Sequence, residues 1–166
     1  MKKKTKQIIT YLIILYAVFN CSLKLSGQDT LNVTFKKNSV FVDLATFKFI
    51  GMSTINYEHL VFDSKHFKML INTGIGGWYF TTISKWYYGC SIPLSINNLI
   101  GKNNNFFEID LGIRYTSYSK RSDKDLSSLF PILNLGYRHQ RPNGKGIIFR
   151  SFLGFSGIGL GLGKAF

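Results

Sequence analysis

The ten residues from Gly157 to Phe166 constrain this chain more than any other stretch. They read Gly-Ile-Gly-Leu-Gly-Leu-Gly-Lys-Ala-Phe. In an extended chain Ile158, Leu160 and Leu162 share one side, and Gly157, Gly159, Gly161, Gly163 and Ala165 share the other. A period of two belongs to a strand, because successive side chains alternate across the pleat. So much glycine makes a weak isolated strand, since glycine loses the most conformational freedom on ordering. The run is reasonable only where neighbours pair with it on both sides and its bare face looks into a crowded interior. That arrangement is a closed sheet, with the aromatic Phe166 expected at the end of the closing strand.

The rest of the chain repeats the pattern. The expected strands cover about 39–49, 53–62, 66–80, 86–97, 106–118, 129–140, 146–154 and the closing run, eight in all. The fifth is the clearest. Phe107, Ile109, Leu111, Ile113 and Tyr115 form one face, and Glu108, Asp110, Gly112, Arg114 and Thr116 the other. Turns are read at Gly51, at Asp63-Ser64-Lys65, at Thr81–Lys85, at Gly101–Asn105 and at Arg141-Pro142-Asn143-Gly144-Lys145, with Lys120–Ser128 the longest connection. Their glycine, proline and asparagine content is that of turns. Pro93 falls inside the fourth strand and cannot donate to a ladder, so a bulge or a missing bond is expected there. Most of these strands approach the length of about 9–11 residues that crosses a bilayer at a tilt. With even parity, the second, fourth and sixth turns lie on one side, where short periplasmic turns are expected.

Before the strands stands a leader. Lys2, Lys3, Lys4 and Lys6 make a basic start, Ile8 to Phe19 an apolar core, and Ser22 to Gly27 a short exit. This is a cleavable helical secretory signal peptide over residues 1–27, with cleavage expected before Gln28. Its core is shorter than the roughly 20 residues of a spanning helix. Phe19 and Asn20 fit poorly before a lipidated cysteine at Cys21. Residues 28–38 are read as a short periplasmic lead-in and 39–166 as the barrel.

The charge is +13, which raises nucleic-acid binding. Five of the 21 basic residues lie in the leader, leaving 16 against 8 acidic ones, scattered through turns and strands. No basic stripe remains, so nucleic acid is not an expected partner. Removal of the leader would take Cys21 and leave Cys90 alone, a small hydrophobe among outward apolar residues.

Alternation gives two faces and not their direction; the sorting of charge supplies that. The polar faces collect Asp43, Glu58, Glu108, Asp110, Arg114, Arg138 and Arg150. On a water-facing exterior these are a sparse cover. Inside a narrow lumen, four acids and three arginines nearly cancel, as a buried ionic cluster must. The expected fold is therefore all-β: a single eight-stranded antiparallel up-and-down transmembrane β-barrel, apolar side toward lipid.

The runs Ile92-Pro93-Leu94-Ser95-Ile96-Asn97, Phe106-Phe107-Glu108-Ile109-Asp110-Leu111-Gly112, Leu133-Asn134-Leu135-Gly136-Tyr137-Arg138-His139-Gln140 and Phe149-Arg150-Ser151-Phe152 resemble the small outer-membrane β-barrel proteins abundant in Bacteroidetes. The likeness covers about Ser53 to Phe166 and implies location in the cell outer membrane. That family is largely without assigned activity, so no catalytic residue is carried over. The final hairpin is shorter here than is usual for the family.

For chemistry the sequence offers little. His66 and His139 flank turns on the periplasmic side, His59 lies on an outward face, and no metal-ligand spacing occurs. No enzyme activity, cofactor or metal is expected. The expected role is structural, adhesive or in envelope integrity; the alternatives are a lipid-modifying or lipid-binding rim and a narrow channel. Outer-membrane lipid and lipopolysaccharide are the expected surroundings, and the barrel-assembly machinery would engage the C-terminal strand. Trp78, Tyr79, Phe80, Trp86, Tyr87, Tyr88 and Phe166 are read as an interfacial aromatic girdle.

Overall fold

The computed structural model describes residues 35–81, 86–118, 126–141 and 143–166. The leader, most of the lead-in, and the connections at 82–85 and 119–125 lie outside the described residues.

Eight antiparallel strands form a closed barrel: β1 (Asn38–Phe47), β2 (Ile50–Asp63), β3 (Phe67–Thr81), β4 (Trp86–Lys102), β5 (Asn105–Tyr118), β6 (Leu126–His139), β7 (Ile148–Gly154) and β8 (Gly157–Ala165). Each pairs with its sequence neighbours, and β8 closes on β1 from Ser39↔Ala165 to Thr46↔Ile158. The glycine run is therefore paired on both edges, against Ile148–Gly154 on the other side. Chain order equals spatial order, so the barrel is up-and-down and leaves no open edge.

The direction of the faces follows from exposure. Leu111, Leu135 and Leu160 point outward and are 45%, 49% and 56% exposed, while Arg138 and Arg150 are 0% and 1% exposed inside. Val40, Val42, Leu44, Ile55, Ile75, Ile92, Leu94, Leu153, Ile158 and Leu162 are also exposed. The core is inverted relative to a water-soluble barrel: its centre is polar and its skin is apolar.

The lower end of the barrel holds the turns after β2, β4 and β6; the upper end holds the other connections. At the lower end the chain enters across the lumen. Phe35 is buried against Leu70, Leu99 and Phe106, with Leu60 beside them. The Phe35 and Phe106 rings meet edge to face at 5.8 Å. Lys68 Nζ lies 4.8 Å from the centre of the Phe35 ring and pairs with Asp63.

Several local expectations change. β2 to β6 run 14 to 17 residues, whereas β7 has 7 and β8 has 9, so one wall is tall and the opposite one low. The first turn is at Lys48 and Phe49, with Lys48 in the left-handed region at φ 53°; Gly51 sits inside β2. There the Tyr79 ring covers it, only 2.2 Å from where a Cβ would be. β4 continues to Lys102, leaving only Asn103 and Asn104 to turn, with Asn103 at φ 59°. At Pro93 the β3–β4 ladder loses its pairs between Thr73↔Leu94 and Gly76↔Ser91 and resumes in the same register, so the result is a gap and no bulge. Thr73 Oγ1 donates to the Pro93 carbonyl at 3.3 Å there. The register does shift in β2, between Leu60 and Phe62 against β3. Residues 140–147 separate β6 from β7 and exceed the 119–125 interval, so 120–128 is not the longest connection; within 140–147 Gly144 N donates to the Arg141 carbonyl at 3.0 Å, a tight turn at the expected place.

Candidate functional site

The lumen is the candidate site, because it gathers charge that no strand could bury alone. Five strands, β1, β2, β5, β6 and β7, contribute inward residues to one ionic layer. Arg138 Nη1 lies 2.7 Å from Glu58 Oε2 and 3.8 Å from Glu108 Oε1. Arg150 Nη2 lies 2.8 Å from Glu108 Oε1, and its Nη1 is 3.2 Å from Asp43 Oδ2. Neutral groups complete the layer. Ser39 Oγ donates to Glu58 Oε2 at 2.9 Å, Asn97 Nδ2 donates to Glu58 Oε1 at 2.7 Å and also to Glu108, and Arg138 Nε donates to Gln140 Oε1 at 2.9 Å. The Phe41 ring is wedged between the two guanidiniums, 4.5 Å from Arg150 Cζ and 5.8 Å from that of Arg138. Phe152 takes the other side of Arg150 at 5.3 Å. Charge-assisted bonds between buried groups are strong, and each charge here has more than one partner.

Above this layer the pairing thins. Asn56 Nδ2 donates to Asp43 Oδ2 at 3.1 Å, and Asn134 Nδ2 donates to Asp110 Oδ2 at 3.2 Å. A cavity of about 20 Å³ is lined by Asp43, Asp110, Asn72, Arg114, Ala45 and Met52 among others. Asp43 Oδ1, Asp110 Oδ1, Asn72 Oδ1 and Arg114 Nε have no hydrogen-bond partner among the described residues.

The seven lumen charges read from the sequence thus divide. Asp43, Glu58, Glu108, Arg138 and Arg150 form one network; among the described residues the Asp110 carboxylate accepts from Asn134 and makes no ion pair. Arg114 makes no ion pair among the described residues; its Nη1 donates to Met52 Sδ at 3.0 Å. The expected cluster, in which four acids and three arginines nearly cancel, thus has one arginine outside its ion pairs. Arg114 and Asp110 are four residues apart on the same face of β5 and, with Asp43, border one small cavity.

The aromatic girdle also divides. Tyr79, Tyr88 and Phe166 are exposed on the outside. Trp78 and Phe80 alternate with Tyr79 and so belong to the inward set, as does Tyr87 opposite Phe80. Trp78 is half-buried and its Nε1 donates to the Ser117 carbonyl at 3.3 Å. Phe80 and Tyr87 stack with centroids 6.0 Å apart. A run of three aromatics in a strand cannot all face lipid, because the pleat sends the middle one to the opposite side. Trp86 is paired with Thr81 in the ladder.

One feature escapes a linear reading. Tyr57 Oη donates to Asn38 Oδ1 at 2.8 Å, and His59 Nδ1 bonds the same oxygen at 2.8 Å. Four strands further round, Tyr137 Oη and His139 Nδ1 meet Asn105 Oδ1 at 2.8 and 2.9 Å. Each Asn is the direct cross-strand partner of its His. Between Tyr and His in each case lies the inward residue, Glu58 in one half and Arg138 in the other, and these two are ion-paired across the lumen. The signal was present: Asn38 and Asp43 on one strand, Asn105 and Asp110 on the other, each followed by Tyr-x-His. Among the described residues no group of three or more His, Cys, Asp or Glu could hold a metal ion.

Fold and lumen together define the class: a closed, eight-stranded, all-antiparallel barrel with an ionic interior. Within that class the chain has the fold of the N-terminal β-barrel domain of Pseudomonas aeruginosa OprF, with a TM-score of 0.54 and 11% identity over 80% of this chain and 98% of that one. At that identity the likeness is one of fold. No family model matches the sequence, and no curated protein matches it.

Proposed function

We propose that the protein is a small outer-membrane barrel, of the Bacteroidetes type its sequence resembles, with a structural, adhesive or envelope-integrity role. The observation that carries this reading is the inversion of the barrel: aliphatic side chains cover the outside while Arg138, Arg150, Glu58 and Glu108 are sealed within. Water outside would leave that apolar skin unpaid for, whereas hydrocarbon accepts it and a closed sheet satisfies every ladder group. The lower end then faces the periplasm, and Gly157–Phe166 is the segment the barrel-assembly machinery would engage. Lipid and lipopolysaccharide surround the rest.

A closed role is preferred to a channel, because two arginines, three carboxylates and Phe41 span the lumen in one layer and the Phe35 cluster lies below it. A non-enzymatic role is preferred because His59 and His139 are turned to the outer face and each is engaged by an asparagine. The test has two arms. Heat-modifiable gel migration in isolated outer-membrane fractions is the expected result; recovery of a non-modifiable protein in the soluble fraction overturns the location. In planar bilayers the purified protein should give no steady conductance steps, and reproducible steps overturn the closed lumen.

A further inference from the structure

The outer skin changes character at its lower edge. The outward residues run Ile55, Tyr57, His59 down β2 and Leu135, Tyr137, His139 down β6. An aliphatic side chain gives way to a phenol and then to an imidazole, the order in which a bilayer passes from acyl chain to headgroup. In each case an asparagine of the neighbouring strand fixes the pair. Asn38 Oδ1 accepts from Tyr57 Oη and meets His59 Nδ1, and Asn105 Oδ1 does the same for Tyr137 and His139. An amide oxygen only accepts, so each histidine carries a proton on Nδ1 and its Nε2 is the nitrogen left for a ligand. With both donors on the oxygen, the Nδ2 amide of each asparagine is left without a hydrogen bond among the described residues.

A lysine stands beside each cluster. Asn105 is paired with Lys102 on one side and with His139 on the other, so the three form one row across β4, β5 and β6. Val40 is paired with Tyr57 on one side and with Lys164 on the other, so Lys164 flanks the first cluster from β8. Both lysines are exposed. No acid balances them. The acids among the described residues are Asp43, Glu58, Glu108 and Asp110, all inward, and Asp63, which pairs with Lys68. The lower edge therefore offers cations and N–H donors beneath an apolar wall, and no carboxylate to hold an amine. That complements a phosphate that carries acyl chains and no headgroup amine.

We propose that each cluster binds the phosphodiester of an anionic glycerophospholipid of the periplasmic leaflet. Lys102, Asn105 and His139 hold one headgroup, Lys164, Asn38 and His59 the other, and the acyl chains lie along the skin above. The proposal rests on the outer-membrane reading and adds to it a preference for phosphatidylglycerol over lipids with a cationic headgroup group.

The test uses the purified protein in dodecyl maltoside micelles, titrated with phosphatidylglycerol or with zwitterionic phosphatidylcholine, and reads the ring nitrogens by NMR. The chain has three histidines, and His66, in the turn between β2 and β3, lies outside both clusters. Phosphatidylglycerol is expected to shift His59 and His139 saturably and to leave His66 in place. Phosphatidylcholine should bind about fivefold more weakly. Lys102→Gln should weaken the His139 response about fivefold and leave that of His59, which reports within the same molecule that the barrel is intact; Lys164→Gln should do the reverse. Absence of a saturable shift, an equal shift at His66, equal binding of the two lipids, or indifference of both responses to the lysine variants would each overturn the proposal. Displacement of the lipid by millimolar inorganic phosphate would assign the clusters to a free anion and overturn it too. Gel migration and membrane fractionation test the location by themselves: a membrane-embedded barrel without the lipid preference loses this proposal alone.

Discussion

The lower and upper halves of the lumen are built from the same strands by opposite rules. Below, Arg138 and Arg150 are shared among Glu58, Glu108 and Asp43, with Asn97, Ser39, Gln140 and Phe41 filling the remaining directions. Above, Arg114 makes no ion pair among the described residues and donates to Met52 Sδ, beside a small cavity that Asp43 and Asp110 also border. Strand length explains part of the difference. All eight strands surround the lower layer, but β7 and β8 stop at Gly154 and start at Gly157, while β3 and β4 continue past Trp78 and Gly89. Where the barrel is complete, side chains from every wall meet and charge must be cancelled. Where one wall is low, fewer inward side chains meet and the pairing thins.

The contrast is broken or sharpened most directly by removing one arginine from each half. Arg150→Met leaves Glu108 and Asp43 without their shared partner inside the closed layer and is expected to cost about 3–5 kcal/mol. Arg114→Met strands no ion pair and should cost less than about 1 kcal/mol. Urea titration of refolding in lipid vesicles compares them, and equal losses would erase the distinction between the halves.

A smaller effect comes from adding one methyl group to the low wall. At Gly159 a Cβ would lie 2.2 Å from Phe152 Cζ, and at Gly161 it would lie 2.1 Å from Asp43 Oδ1 and 2.5 Å from Arg150 Cγ. Gly159→Ala and Gly161→Ala should each destabilise by about 1–3 kcal/mol, the usual range for overpacking. Gly77→Ala, on the tall wall, meets nothing nearer than the Gly89 carbonyl at 3.7 Å and should stay within about 0.5 kcal/mol of wild type. The same urea midpoints decide, and a tolerated Gly161→Ala would show that the lower layer is looser than its geometry.

The smallest effect concerns the outer skin. Tyr57→Phe and Tyr137→Phe each remove one hydrogen bond to an asparagine at equivalent places in the two halves of the barrel. Each should cost no more than about 1 kcal/mol, by similar amounts, and the double variant should show the sum. A large inequality would mean that the two Asn–Tyr–His clusters are alike only in outline.

Much of this was legible because a pleated strand has one rule. Alternation in Phe107–Thr116 places Glu108, Asp110 and Arg114 on one face in any strand, and the same count assigns Glu58, Arg138 and Arg150. What alternation could not say is which charges meet. Arg138 and Glu58 are 80 positions apart in the chain, and their contact depends on the tilt and closure of the whole sheet. The same limit explains Arg114: its face was correct, but that it borders a small cavity with Asp43 and Asp110 without an ion pair to either was not readable from spacing. Trp78, Phe80 and Tyr87 were misplaced for a different reason. Consecutive aromatics were read as one belt, although the pleat divides them between lipid side and mouth.

By itself the sequence determined the strand number, the two faces of each strand and the order in which they meet, because period two and turn chemistry are local. Only the tertiary structure decided the partners of each lumen charge, the uneven height of the wall and the small cavity beside Arg114. Those depend on register and closure, which fix which residues from distant strands share a level, and no single strand carries that information.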